Sequence, residues 1–336
     1  MKITTLAAAA GAVFVLSACS GGQNAGSPVL PASGASQMIG APSSFQEYLV
    51  PTTNSQPYDM TLGPGGNYYF TEQNGNKIAS ITPTGTITEY GAPDSASMPT
   101  GISPASDGNI WFSENQYGNL VRFMSGKMKR FQVTGPNGEP NELTSGPDKR
   151  LWYTLDGGNA IGAIVPTTAT VSTYHLPHLN SHPQGITTGP DGNLWFVEEV
   201  GNRVGRITVA GKITEYTIPT AGSQPARITT GPDKNLWFTE SQGNKIGTIT
   251  TAGKITEHII KKGVDSEPIG IVSGPGSKLW FVEFSGNAIS SMTTTGLVTR
   301  HGLPVPNSKP NGVVASPDGK LWFTEFNGNK IGVFTP

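Results

Sequence analysis

Glu72, Glu114, Glu198, Glu240, Glu283 and Glu325 stand at the same place in a recurring pattern, each closing an apolar run and each followed within a few positions by Gly-Asn. Carboxylates brought onto one rim raise one another's pKa unless positive charge compensates them. A hard divalent cation such as Mg2+ or Ca2+, which takes oxygen ligands, is the natural partner. The same glutamates have a structural alternative, in which they satisfy turn amides or pair with the basic residues Lys77, Arg203, Lys245 and Lys330. A second recurring position, directly after a proline, holds Tyr58, Thr100, Asn141, Gln184, Ala226, Ile269 and Asn311. If the two positions share a face, Tyr58, Glu72, Glu114, Asn141, Gln184, Glu198, Glu240 and Asn311 form a ligand-binding rim.

Departures from a repeated pattern are where function is best placed. Leu155-Asp156-Gly157 replaces the glutamate in the third repeat, and the connection that follows carries His175, His178 and His182, three of the five histidines. Imidazoles there suit a transition metal or a base working near neutral pH. The plain alternative is a solvated loop.

The elements that position these residues follow from the period. Asn76, Asn119, Asn159, Asn202, Asn244, Asn287 and Asn329 recur every 40 to 43 residues, a spacing that points to a propeller or a solenoid. Trp111, Trp152, Trp195, Trp237, Trp280 and Trp322 share one repeat position, with Tyr69 filling it in the first unit. Within residues 183–216 the turns Gly189-Pro190-Asp191-Gly192 and Ala210-Gly211 cut the repeat into four short β-rich strands. Four antiparallel strands make a propeller blade. The last unit stops after its third strand, while residues 45–51 align with residues 213–219 and supply the missing fourth. The expectation is an all-β, seven-bladed β-propeller over residues 45–336, its ring closed by the N-terminal strand so that no sheet edge stays open.

Before the ring, Met1-Lys2 leads into an apolar run over residues 6–16, too short for a permanent membrane span and placed as a secretory signal. Leu16-Ser17-Ala18-Cys19 resembles the lipobox of bacterial lipoproteins, which implies a signal peptide over residues 1–18 and lipid on Cys19. Residues 20–44 carry no charge and few apolar anchors, so residues 19–44 read as a lipidated cysteine and its tether. The chain is therefore expected to be exported and held at a cell membrane or outer membrane by its lipid alone. One cysteine excludes an internal disulfide framework and a Cys-ligated zinc site. Twenty-two Lys and Arg against 23 Asp and Glu leave no basic surplus for nucleic acid. A closed ring needs no partner to cover its edges, so a monomer is expected.

The repeated Pro-x-Gly-Ile-Thr, Leu-Trp-Phe and Gly-Asn-Lys-Ile-Gly elements, seen with variations from Pro183, Pro225 and Pro268, closely resemble the streptogramin B lyases, the virginiamycin B lyase family. The resemblance runs through residues 45–336. It implies a seven-bladed propeller and a Mg2+-dependent elimination that opens a cyclic depsipeptide at its ester. By the same resemblance the base is a histidine directly after the repeat proline, and a glutamate closing the next strand holds the metal. Glu267, Glu283 and Glu325 then correspond to metal ligands. The matching stretches read Glu267-Pro268-Ile269-Gly270-Ile271 and Lys309-Pro310-Asn311-Gly312-Val313, and no blade has histidine after its proline. Losing a positioned base costs about 10²–10⁴-fold. His182, directly before Pro183, is the one candidate for a relocated base. Two classes of function follow: a lyase-like enzyme acting on a small cyclic peptide or lactone, and a non-catalytic propeller that binds such a ligand or a protein at the cell envelope.

Overall fold

The computed structural model describes residues 44–135, 137–260 and 265–336. Cys19, the proposed signal peptide over residues 1–18 and nearly all of the tether lie outside them. The described chain forms seven sheets of four antiparallel strands, interrupted only by single 3-10 turns such as Pro64–Gly66. The fourth blade has strands Pro183–Thr188, Leu194–Glu198, Arg203–Ile207 and Ile213–Thr217, running in order from the channel outward. In the seventh, Pro310–Ala315, Leu321–Glu325 and Lys330–Thr335 are completed by the N-terminal strand Ser44–Leu49, with Phe45 opposite Phe334. The expected ring closure by that strand is therefore present.

Each recurring residue has a packing or turn requirement behind it. The Gly-Asn asparagines at 76, 159, 202, 244, 287 and 329 have φ between +48° and +57°, left-handed backbone that Asn tolerates better than most residues. From that turn the amide oxygen reaches the next blade: Asn202 Oδ1 accepts from the Ser223 amide at 2.8 Å, and Asn329 Oδ1 from the Ser55 amide at 2.8 Å, across the ring closure. Blade 2 departs from this pattern, its turn residue being Gly118 at φ +70°.

The tryptophans fill the seams between blades. Trp195, fully buried, packs with Ile228, Leu236 and Phe238 of the following blade, stacks on Tyr216 at 5.8 Å and donates its indole N–H to Asp191 Oδ1 at 3.0 Å. His258 and His301 take the tyrosine's place against Trp237 and Trp280, so these two histidines are packing residues. Trp195→Ala is expected to cost about 3–5 kcal/mol, because a rigid sheet cannot close over the lost ring. Urea unfolding measures it, and a loss below about 1 kcal/mol would contradict the seam's importance.

Candidate functional site

The rim is built by a repeated hydrogen bond. A Thr or Ser in the second strand donates to the carbonyl of the residue after the proline in the next blade. Thr71 reaches Thr100 O at 2.7 Å, Thr154 reaches Gln184 O at 2.7 Å, Thr239 reaches Ile269 O at 2.9 Å and Thr324 reaches Tyr58 O at 2.8 Å. That bond fixes the backbone from which Tyr58, Gln184 and Ile269 reach a cavity of about 220 Å3 at the channel mouth, which Ala226 and Asn311 also line although Val197 and Val282 stand at the donor position before them. Its wall also includes Gln224, Glu267, Glu199, Gln242 and Phe284. Asn141 is buried beside it and donates to the Gln184 side-chain oxygen.

The recurring glutamates are elsewhere, and this corrects the expected rim. Glu72, Glu114, Glu198, Glu240, Glu283 and Glu325 are each 0% exposed, and none lines the cavity. In each repeat the glutamate pairs with the proline itself, Pro183 with Glu198 for example, and a register shift follows before Ile186. Strand alternation then gives the cavity to the next residue, Glu199, Ser241 or Phe284. The glutamate folds beneath the Gly-Asn turn, where a Cβ on Gly75 would stand 2.9 Å from Glu72 Oε2 and one on Gly243 would stand 3.0 Å from Glu240 Oε2. In five blades the glycine of Gly-Asn leaves room for a carboxylate, whereas Gly118 faces Thr134 and Gly135 and Gly158 faces Leu155.

Those carboxylates are also short of counter-charge. Lys77, Lys245 and Lys330 pair with the outer-strand residues Glu89, Glu257 and Glu47, and only Arg203, 3.5 Å from Glu198, and Arg300, 3.0 Å from Glu283, turn inward. Burial first, and the neighbouring outer glutamate second, push Glu72 and Glu198 up to about 7 and Glu240 to about 8.

The three residues implied as metal ligands do not fit Mg2+. Glu267 lines the cavity and accepts from the Ser285 hydroxyl, Glu283 is closed off by Ser290 and Arg300, and Glu325 is buried under Gly328. Among the described residues no group of three or more His, Cys, Asp or Glu side chains is arranged to hold a metal ion. The histidine connection does not form a metal site either, since His178 pairs with Glu215 while His182 turns to Asp156.

That last contact joins the two departures noted in the sequence. His182, at φ +52°, puts Nδ1 2.7 Å from Asp156 Oδ1. Gln184 Nε2 donates to Asp156 Oδ2 at 3.0 Å and to Glu199 Oε2 at 3.1 Å, which links the pair to the cavity wall. Burial, then the charge of Asp156, raises the Glu199 carboxyl above its ordinary value. His182 itself is not a cavity-lining residue. Glu199 is a site residue that repeat reasoning passed over, and its signal was that the position after the glutamate varies from blade to blade.

The profile of the virginiamycin B lyase family matches residues 36–125 and 121–336. A virginiamycin B lyase of Nocardia farcinica is 32% identical over 130 residues, a stretch covering 38% of this chain and 43% of that relative. Selenomethionine-substituted virginiamycin B lyase from Staphylococcus aureus superposes with a TM-score of 0.83 at 36% identity, over 88% of this chain and 99% of that one. A catalytically inactive histidine-to-alanine variant of that enzyme, with quinupristin, matches with the same TM-score, identity and coverage.

Proposed function

The chain belongs to the virginiamycin B lyase family, and from that premise we propose that it is an exported, lipid-anchored propeller that binds a small cyclic peptide or lactone at its rim without the family's metal-dependent elimination. The observation that carries this reading is the cavity wall itself. The positions after the prolines that line it hold Tyr58, Gln184, Ala226, Ile269 and Asn311, none of which accepts a Cα proton near neutral pH, and the wall's two carboxyls, Glu199 and Glu267, are engaged by the Gln184 amide and the Ser285 hydroxyl. Glu283 and Glu325, which the resemblance would give to a metal, are inside the blades. What remains suits recognition: Gln184, Gln224, Gln242 and Asn311 offer amides that match the amides and esters of a peptide ring, and Tyr58, Ile269 and Phe284 offer apolar surface. The anchor and the export rest on residues 1–19.

A second reading, the lyase-like enzyme, is favoured by one observation, the 2.7 Å contact between His182 and Asp156. A carboxylate on Nδ1 fixes the ring and leaves Nε2 to take a proton. Incubation of the purified protein with quinupristin, with and without Mg2+, separates the readings by calorimetry and mass spectrometry. Saturable binding with the antibiotic returned intact is expected. A linear product of unchanged mass that disappears in His182→Ala would replace the binding reading with the enzyme. A product heavier by one water would mean hydrolysis.

A further inference from the structure

Asp59, Glu142 and Arg227 occupy one repeat position, the second residue after the proline, where the other four blades carry Gly101, Gly185, Gly270 and Gly312. The innermost strands approach closely there: a Cβ on Gly185 would stand 2.7 Å from the Arg227 Cα, one on Gly312 would stand 3.0 Å from the Asp59 Cα, and one on Gly101 would collide with the Asn141 carbonyl oxygen. Glycine in the neighbouring blade thus lets the backbone that carries each charged residue come close. The three charges gather in the channel. Arg227 Nη1 is 2.6 Å from Glu142 Oε2, Asp59 Oδ2 accepts from the Ile102 amide at 3.3 Å, and the guanidinium lies 5.7 Å from the Tyr58 ring centroid.

Arg227 is 8% exposed and lines both the rim cavity and a second cavity of about 270 Å3 in the channel. Its Nη2 is buried with no hydrogen-bond partner. A charged donor left in that state is costly, and an acceptor entering the rim cavity would satisfy it. The chemistry of that acceptor follows from the charge count. Burial raises both carboxyls, that of Glu142 to about 8, against the opposing pull of Arg227. The guanidinium already faces two carboxyl groups on its channel side, one of them 2.6 Å from Nη1. A neutral oxygen suits that floor better than an anion, which would be brought up against those two carboxyl groups.

Resting on the ligand-binding reading, we infer that Arg227 is the anchor of the rim cavity, donating from Nη2 to a carbonyl oxygen of the bound peptide or lactone while Glu142 and Asp59 hold its guanidinium from the channel side. The test titrates the full-length protein with quinupristin beside Arg227→Lys, which keeps the charge but loses the fork. A charge-balanced Glu142→Gln/Arg227→Gln variant guards against misfolding of either single change. Affinity about tenfold weaker or more in both, with thermal melts still cooperative, supports the anchor. Unchanged affinity in either folded variant overturns it and leaves the ligand-binding reading standing. Should quinupristin fail to bind the unmodified protein, the reading of its ligand falls. The anchor is then decided by nitrogen-15 spectra of arginine-labelled protein titrated with N-methylacetamide. A moving Arg227 side-chain resonance, identified by its absence in Arg227→Lys, supports it; a stationary one overturns it.

Discussion

The propeller is expected to melt at a higher temperature at pH 6.5 than at pH 8.5, by roughly 5 °C or more. Burial, reinforced by neighbouring carboxylates, lifts Glu72 and Glu198 to about 7 and Glu142 and Glu240 to about 8, from an ordinary value of 4.5. The folded chain then holds protons that the unfolded chain has released. Stability from these groups is fully present below the unfolded value and is lost as pH rises through the folded one. Each such proton changes stability by about 1.4 kcal/mol per pH unit, so the four together account for a few kcal/mol over the interval.

Other groups act outside that window. Despite partial burial, Glu89 is held low by Lys77, and Glu257 by Thr220 and Lys245, so their contribution is lost only below 4.5. His258 and His301, lowered by burial from 6.5, cost stability only as pH falls below that value. The interval therefore isolates the buried carboxyls. Scanning calorimetry at constant ionic strength measures the slope, and Glu240→Gln should flatten it. A melting temperature that is level or rises toward pH 8.5 would mean that these glutamates are ionised in the fold.

The same glutamates mark the boundary of what the sequence makes legible. Their period is visible by eye, as are the period of Trp195 and its counterparts and that of the Gly-Asn turns, because a seam or a left-handed turn makes the same local demand in every blade. The side on which a side chain emerges is not local. It depends on the register shift between Pro183 and Ile186, which no composition announces, and one residue of slip exchanges Glu198 for Glu199 at the cavity. Asp156 and His182 are separately conspicuous in the sequence, yet their contact crosses from the third blade to the fourth and needs the ring's geometry. Asp59, Glu142 and Arg227 are likewise far apart in sequence. Their signal is that three of seven positions otherwise given to glycine are charged, and the charges nearly balance.

Arg227→Met is expected to destabilise the fold by about 3–5 kcal/mol at pH 8.5, the usual cost of leaving a buried partner charge alone. Among the described residues the guanidinium is the one cation beside Asp59 and Glu142 in the channel cavity, and without it both carboxyls must take protons or be paid for in desolvation. Removing it raises both folded values further above the unfolded ones. By the same sign as before, the deficit is greatest at high pH and shrinks as pH falls through those values. At pH 5 the residual loss should be about 1 kcal/mol, that of the guanidinium's packing over Tyr58. A triple variant, Asp59→Asn/Glu142→Gln/Arg227→Met, separates charge from shape, since replacing every member of a buried ion cluster is often near neutral even where removing one is not. Urea unfolding of the two variants at both pH values decides the matter. Equal losses in the two, or a deficit in Arg227→Met that does not change with pH, would mean that Arg227 fills space in the channel and that its charge is not what the two carboxyls require.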